Sequence, residues 1–216
     1  MAQGVFVTGT GTEVGKTVVA ATIARTLADE GRRVAVFKPA VTGLDEGVET
    51  DHELLRRASG SNQSDEEIAP YRYGPPASPH LAAALAGEEI DPERLRRAAA
   101  AAAEGAEAIV CEGVGGLLVP LSPDYLVRDL AADLGYPLVV VSSPGLGAIN
   151  HTLLTVEAAR AFGLEVAAVV LNPWPGEPSE IERSNRETIA SLADVQVFTL
   201  PQLDLAKPET WPALQI

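Results

Sequence analysis

A short apolar run, Val5–Thr8, passes directly into Gly9-Thr10-Gly11-Thr12-Glu13-Val14-Gly15-Lys16-Thr17, and a helical pattern starts at Thr17. Strand, glycine-rich turn and helix in that order constrain the fold more than any other feature of the chain. The turn aims successive backbone N–H groups at one point beside the positive end of a helix, which makes a cradle for phosphate. Lys16 is placed to reach the outer phosphates of a polyphosphate ligand, and the Thr17 hydroxyl to bind magnesium. The strict phosphate-loop pattern has a glycine at the position of Thr10; here Gly9 and Gly11 flank it instead. A flexible turn that happens to contain Gly-Lys-Thr is the competing reading, and the strand before it and helix after it weigh against it.

The rest of the chain repeats the alternation. Thr17–Glu30 is helical, with Val19, Ile23 and Leu27 on one face and Gly31 at its end. Val34–Phe37, Ala108–Cys111, Leu138–Ser142, Val166–Leu171 and Val195–Leu200 are apolar strands. Asp51–Ser59, Asp91–Glu104, Ile149–Phe162 and Ser179–Leu192 are helices, the second capped by Asp91 with Pro92 in its first turn. Val41–Pro79 is otherwise irregular, and Lys207–Ile216 docks without regular structure. Continuous apolar strands separated by helices indicate a parallel sheet covered on both faces. The expected fold is α/β: one domain over residues 1–216, a mostly parallel sheet with helices on both faces, of the P-loop NTPase-like kind. Ligands in such folds sit beyond the carboxyl ends of the strands.

Charge narrows the partners. The chain has 16 basic and 30 acidic residues, a formal net charge of −14, which disfavours nucleic acid and anionic membranes. Lysine occurs only at Lys16, Lys38 and Lys207, the other basic residues being arginine. Two of the three stand at strand-to-loop positions near the N-terminus, where a compact ammonium does what a planar guanidinium does not. A single cysteine, Cys111, excludes an internal disulfide. The opening residues lack the basic flank and long apolar stretch of a secretory signal, so a cytoplasmic location is expected.

The strand ends carry the remaining candidates. Lys38 follows the second strand, and Pro39 biases it to an extended conformation directed at the same crevice as Lys16. A surface lysine at a loop start is the alternative. Glu112, after Ala108–Cys111 and before Gly113-Val114-Gly115-Gly116, stands where a magnesium-coordinating carboxylate is expected beside a phosphate loop. Asp51 is a second candidate metal ligand, or a helix cap. Ser143-Pro144-Gly145-Leu146-Gly147 before the Ile149 helix forms another glycine turn whose free donors suit a carboxylate, with Asn150 orienting a ligand or capping the helix. His52, His80 and His151 have no zinc-site spacing.

Taken together, VTGTGTEVGKT, KPAVTG, Asp51, Ser78-Pro79-His80, EGVGG and GLGAINH, in this order from Val5 to Asn172, resemble the dethiobiotin synthetase family. The resemblance implies that 7,8-diaminononanoate, CO2 and ATP are converted to dethiobiotin, ADP and phosphate. It implies nucleotide contacts from Thr12, Glu13, Val14, Gly15, Lys16, Thr17 and Val18, and from Asp51, Glu112, Gly113, Val114 and Gly115. Asn172 would contact the base, with Pro201, Gln202 and Leu203 nearby. It further implies Mg2+ on Thr17, Asp51 and Glu112, catalytic roles for Lys16 and Lys38, and substrate contacts from Thr42, Pro79, Leu146, Gly147 and Asn150. In the family, the Leu146–Asn150 region serves the other subunit's site, which implies a homodimer. The sequence departs from the family where Pro173 replaces an acid after Asn172, so an adenine preference does not carry over from that position. The alternative class is a nucleotide-dependent switch of the partitioning or septum-placement type. Those proteins carry KGGxGKT, and the first lysine's position is Gly11 here, followed by Thr12-Glu13.

Overall fold

Alternate residues of the central strands face opposite ways, and each set meets its own helices. The chain was analysed as a computed structural model, which describes residues 2–44 and 49–216. It runs β1 (Gln3–Gly9), α1 (Lys16–Asp29), β2 (Val34–Phe37), β3 (Ala40–Val41), α2 (Asp51–Ser59), α3 (Asp65–Ile68) and β4 (Tyr71–Arg72). Then follow α4 (Pro79–Leu85), α5 (Pro92–Ala103), β5 (Ala108–Gly116), β6 (Pro120–Ser122), β7 (Tyr125–Leu126) and α6 (Val127–Leu134). The last part is β8 (Leu138–Ser142), α7 (Ala148–Ala161), β9 (Val166–Trp174), α8 (Glu180–Ala193) and β10 (Gln196–Pro201).

Six strands form the central sheet in the order β10-β9-β8-β1-β5-β2, every pair parallel. Phe6, Phe37, Ile109 and Cys111 face α5 and α6, where Leu95, Ala99 and Leu130 cover them. Val7, Val36 and Val110 face the other way, onto Val19, Ala20 and Ile23 of α1 and Leu55 of α2. Val140, Val169 and Leu171 carry α7 and α8 through Val156 and Ile189. The expected two-faced parallel sheet is therefore present. Chain progress across the sheet reverses around β1: β2 and β5 lie to one side of it and β8 to the other. That reversal opens a crevice at the strands' carboxyl ends.

Several boundaries differ from the sequence expectation. The strand expected to stop at Cys111 runs on to Gly116: Gly113, Val114 and Gly115 form a bulge, with Gly115 at φ 62°, and the ladder resumes where Gly9 pairs with Gly116. Glu112 is thus a residue within β5, opposite Val7, and not a residue after it. The last strand of the inner set likewise continues to Trp174, held by pairing of Pro201 with Trp174. The stretch expected to be irregular apart from one helix also holds α3 and a small β3–β4 pair. Part of it, residues 45–48, lies outside the described residues. The helix α6 was not expected. It is short, and its buried Val127, Leu130 and Ala131 give too brief a period to separate from a loop.

The C-terminal tail packs along α1. After a single 3-10 turn at Pro208–Thr210, Leu214 enters the core beside Ile23, and its N–H donates to Thr26 Oγ1 at 2.9 Å. Among the described residues, no helix is long and apolar enough to cross a membrane. Ile109 has no exposed surface and stands in β5 between β1 and β2. Ile109→Ala should lower the unfolding free energy by about 2–5 kcal/mol, measured by urea denaturation. A loss well below about 1 kcal/mol would mean that this face of the sheet is not packed as described.

Candidate active site

The turn between β1 and α1 is shaped by short-range sterics. A Cβ on Gly9 would stand 2.8 Å from Val14 Cγ2 and 3.0 Å from the Lys16 side chain, so a larger residue there would push both side chains aside. Thr10 occupies the position where the strict pattern has glycine because the chain there is still paired. Its N–H donates to the Val141 carbonyl at 2.9 Å, prolonging the β1–β8 ladder. Gly15 is the N-cap of α1 at φ 83°, a left-handed conformation costly for residues with a Cβ. Lys16 folds back so that Nζ donates to the Gly11 carbonyl at 2.9 Å.

Four side chains from four elements meet beside this loop. Lys38 Nζ is 2.6 Å from Asp51 Oδ2 and 2.7 Å from Glu112 Oε1. Thr17 Oγ1 is 2.9 Å from both Asp51 Oδ1 and Glu112 Oε1. Lys38 is 3% exposed and Glu112 not at all, so Lys38 is no surface lysine. Its backbone N–H is anchored to the Ile68 carbonyl at 2.8 Å. Asp51 reaches the cluster because it is not the cap of α2. Thr50 is the cap, and Glu53 accepts from the Thr50 N–H at 2.8 Å, which leaves the Asp51 carboxylate free to turn inward.

The charges follow from this arrangement. Burial disfavours the charged form of Glu112 and raises its pKa, against the pull of Lys38. Burial also works against the Lys38 ammonium, but Glu112 and Asp51 outweigh it and hold its pKa above the ordinary lysine value. Burial opposes the Asp51 charge too; Lys38, with help from Thr17, keeps that carboxyl below its usual range. Lys16 lies beside the same acids, and burial lowers its pKa.

These groups line one cleft of about 600 Å³, together with Thr12, Glu13, Gly15, Val18, Thr42, Val114 and Gly115. Glu49, Leu54 and Leu205 line it as well. The sequence does not single out these three: Glu49 precedes a cap, and Leu205 arrives from the C-terminal segment only through the fold. Arg57 of α2 holds that wall, donating to the Leu205 carbonyl at 2.9 Å and pairing with Glu49 at 2.8 Å.

Other expected residues lie elsewhere. Gly113 is buried, and a Cβ there would strike Val127 at 2.9 Å and Phe6 at 3.1 Å, so its smallness serves strand–helix packing. Pro79 is buried at the start of α4. Pro201 and Gln202 are exposed, and Leu203 packs against the α1 face of the core. Asn172 is buried under the first glycine loop, with Nδ2 donating to the Val14 carbonyl at 3.2 Å. Leu146, Gly147 and Asn150 line a separate surface hollow on α7 with Leu154 and Asn185. Gly147, at φ 92°, is the N-cap there, so Asn150 does not cap α7. Asn185 was not expected to matter; its Nδ2 donates to the carbonyls of Pro144 and Gly145, both at 2.9 Å, and holds this second glycine turn.

The donor set suits a hard divalent cation. Glu112 Oε2 is buried without a hydrogen-bond partner, and the single Thr17 hydroxyl proton faces two carboxylate oxygens. Among the described residues no three His, Cys, Asp or Glu form a metal-holding group. Magnesium usually takes one or two carboxylates and completes its shell with water and phosphate, and Asp51 and Glu112 beside Thr17 supply two carboxylates.

A parallel sheet with a glycine loop, a lysine and acids at its carboxyl edge defines the phosphate-loop nucleotide-binding α/β proteins. A family profile described as "AAA domain" matches residues 3–210. The ATP-dependent dethiobiotin synthetase BioD of Bacillus subtilis (strain 168) is 38% identical over 210 residues, covering 96% of this chain and 91% of that protein. The protein of the same name from Anaeromyxobacter dehalogenans is 45% identical over 190 residues, covering 88% and 85%. A ParA family ATPase from Chlorobium tepidum shares the fold at a TM-score of 0.59 and 20% identity, covering 96% of this chain and 87% of that one. The chain belongs to the dethiobiotin synthetase family.

Gly15 makes the loop's tightest approach: a Cβ there would lie 2.0 Å from Asn172 Nδ2. Gly15→Ala should therefore weaken ATP binding at least about tenfold and lower stability by about 1–3 kcal/mol, from left-handed strain and the clash. Calorimetric titration and urea denaturation check the two effects. Wild-type affinity in a folded variant would contradict the loop geometry.

Proposed function

We propose that the protein is an ATP-dependent dethiobiotin synthetase, a cyclising ligase of biotin biosynthesis acting on 7,8-diaminononanoate in the cytoplasm. The observation that carries the reading is the convergence of Lys16, Thr17, Lys38, Asp51 and Glu112 in one cleft beside the glycine loop.

The chemistry needs negative charge held at two places. One amine of the diamine adds to CO2 and loses a proton, giving a carbamate. A carbamate oxygen then attacks the γ-phosphorus of ATP, and the bond to the departing ADP oxygen breaks. The second amine attacks the carbonyl carbon of the mixed anhydride; phosphate leaves, the amine loses its proton and the ureido ring closes. Lys16 and the loop N–H groups hold the phosphates and offset charge as the phosphoryl group moves. Lys38, a buried ammonium 2.6 Å from Asp51 and 2.7 Å from Glu112, keeps its proton and offsets charge on the carbamate and the transferring group. Thr17, Asp51 and Glu112 are the residues that would hold Mg2+, which supplies positive charge against the phosphate oxygens. Thr42 also lines the cleft and would contact the diamine.

The protein acts as a homodimer in this reading, with the α7 hollow completing the partner's site. Support comes from Leu146 and Leu154, which are 96% and 58% exposed around that hollow. Gly147 lies between them, and free N–H groups at the start of α7 suit a carboxylate.

The decisive assay is phosphate release with Mg-ATP and bicarbonate, with and without 7,8-diaminononanoate, and with dethiobiotin identified by mass spectrometry. Diamine-dependent release with product is expected. Release that ignores the diamine and yields no product would favour a nucleotide switch and overturn the assignment. In the same assay Lys16→Ala should lose nucleotide affinity and turnover together. Lys38→Ala should retain ATP binding while kcat falls about 10²–10³-fold; a fully active variant would remove Lys38 from the mechanism. Leu154→Glu should shift the sedimentation coefficient from dimer to monomer, and an unchanged dimer would place the interface elsewhere.

A further inference from the structure

Residues 202–213 have no regular structure apart from one 3-10 turn, yet Leu205 from this stretch lines the same cleft as Lys16, Thr17 and Val18. Lys207 pairs with Asp204, and Trp211 Nε1 donates to the Asp204 carbonyl at 2.9 Å. Those bonds shape the stretch from within and attach it to nothing. Leu203, Leu205 and Trp211 add half-buried apolar contact with the α1 face, which is non-directional and sets no register. Among the described residues, one hydrogen bond joins the stretch to another element: Arg57 Nη1 of α2 donates to the Leu205 carbonyl at 2.9 Å. A segment with so few directional bonds opens readily unless that bond is firm. The guanidinium is itself fixed. Nε and Nη2 meet the two Glu49 carboxylate oxygens at 2.9 and 2.8 Å, a side-on fork that sets the plane of the group and leaves Nη1 for the carbonyl. An ammonium has no such plane and cannot fix both partners at once. Asp51, two residues after Glu49, does not depend on this fork, because Lys38 and Thr17 hold its carboxylate.

We propose that Arg57 is a positioning residue that latches the C-terminal stretch to α2: its fork on Glu49 aims the third donor at Leu205 and so fixes one wall of the nucleotide cleft. This role rests on the nucleotide-binding reading above. Among the described residues, the polar partners of Arg57 are Glu49 and Leu205, so it acts through the wall and not on the reacting atoms. Loosening the latch weakens the hold on ATP and leaves the cluster of Lys38, Asp51, Glu112 and Thr17 intact.

The test reads the wall and the ligand separately in the full-length protein. Trp174 and Trp211 are the two tryptophans, so in a Trp174→Phe background acrylamide quenching of the remaining emission reports how firmly the stretch around Trp211 is seated. Against that background, Arg57→Ala should raise the quenching constant about twofold. Kd for ATP by calorimetry and KM for ATP should both rise about fivefold. The kcat and the KM for the diamine should stay within about twofold, because the contact is equal in ground and transition states. Guanidinium ion at millimolar concentration should restore ATP affinity to Arg57→Ala, and sodium chloride at the same concentration should not. Arg57→Lys should fall between wild type and Arg57→Ala, and it carries the test if the alanine variant does not fold. Loosened Trp211 with unchanged ATP affinity, or weakened ATP with unchanged Trp211, would overturn the proposal. So would a loss that guanidinium does not relieve, or one that moves kcat and both KM values together, as a general loss of structure does. If the unsubstituted protein does not bind ATP, the nucleotide reading is what fails, and the quenching arm still decides whether Arg57 is a latch.

Discussion

A lysine ammonium almost wholly withdrawn from solvent is the constraint around which this molecule is arranged. Taking such a charge out of water costs several kcal/mol, and that cost is offset only when carboxylates meet it at hydrogen-bonding distance. Lys38 has both partners, Asp51 and Glu112, and the two acids are tied in turn to Thr17. One residue comes from the exit of β2, one from β5, one from the first turn of α2 and one from the first turn of α1. Displacing β2 leaves the buried Glu112 without its ammonium, and displacing β5 or α2 strips Lys38 of one carboxylate. The same pairing that gives the crevice its charge therefore also ties together the elements around it.

What could be seen from the sequence was whatever depends on near neighbours. Gly15-Lys16-Thr17 after an apolar strand, Lys38 before Pro39, and Glu112 at the end of Ala108–Cys111 carry their chemistry in a few consecutive residues, and all three arrive in one cleft. Asp51 reads either as a cap or as a ligand because both use the same side chain; the capping interaction between Thr50 and Glu53 excludes the cap. Leu205 and Glu49 were invisible, since Arg57 assembles them from distant parts of the chain. The extension of β5 to Gly116 was invisible for a related reason: glycines in a strand are stabilised by the neighbouring strand, not by their own propensity. The packing role of Gly113 was invisible too, since its missing side chain makes room for Val127 and Phe6, which lie far from it in sequence or across the sheet.

Two glycine turns follow strands in this sheet, and both are held by an asparagine from a neighbouring element, β9 for one and α8 for the other. Asn172 supports the turn before α1, and Asn185 supports the turn before α7. An amide is well suited to the task because it donates to carbonyls without adding charge beside an anion site. The arrangement lets a glycine-rich segment keep one shape although its own residues restrain it little.

The tail along α1 has a mechanical consequence. Leu205 borders the cleft near the first turn of the helix, while Leu214 and Gln215 grip its opposite end at Thr26 and Glu30. One segment thus braces the helix from tip to base, as a splint braces a rod. The phosphate loop sits on the tip of that rod, so its footing rests partly on residues that dock beside the first residues of β1 and β5, at the opposite end of the strands from the cleft.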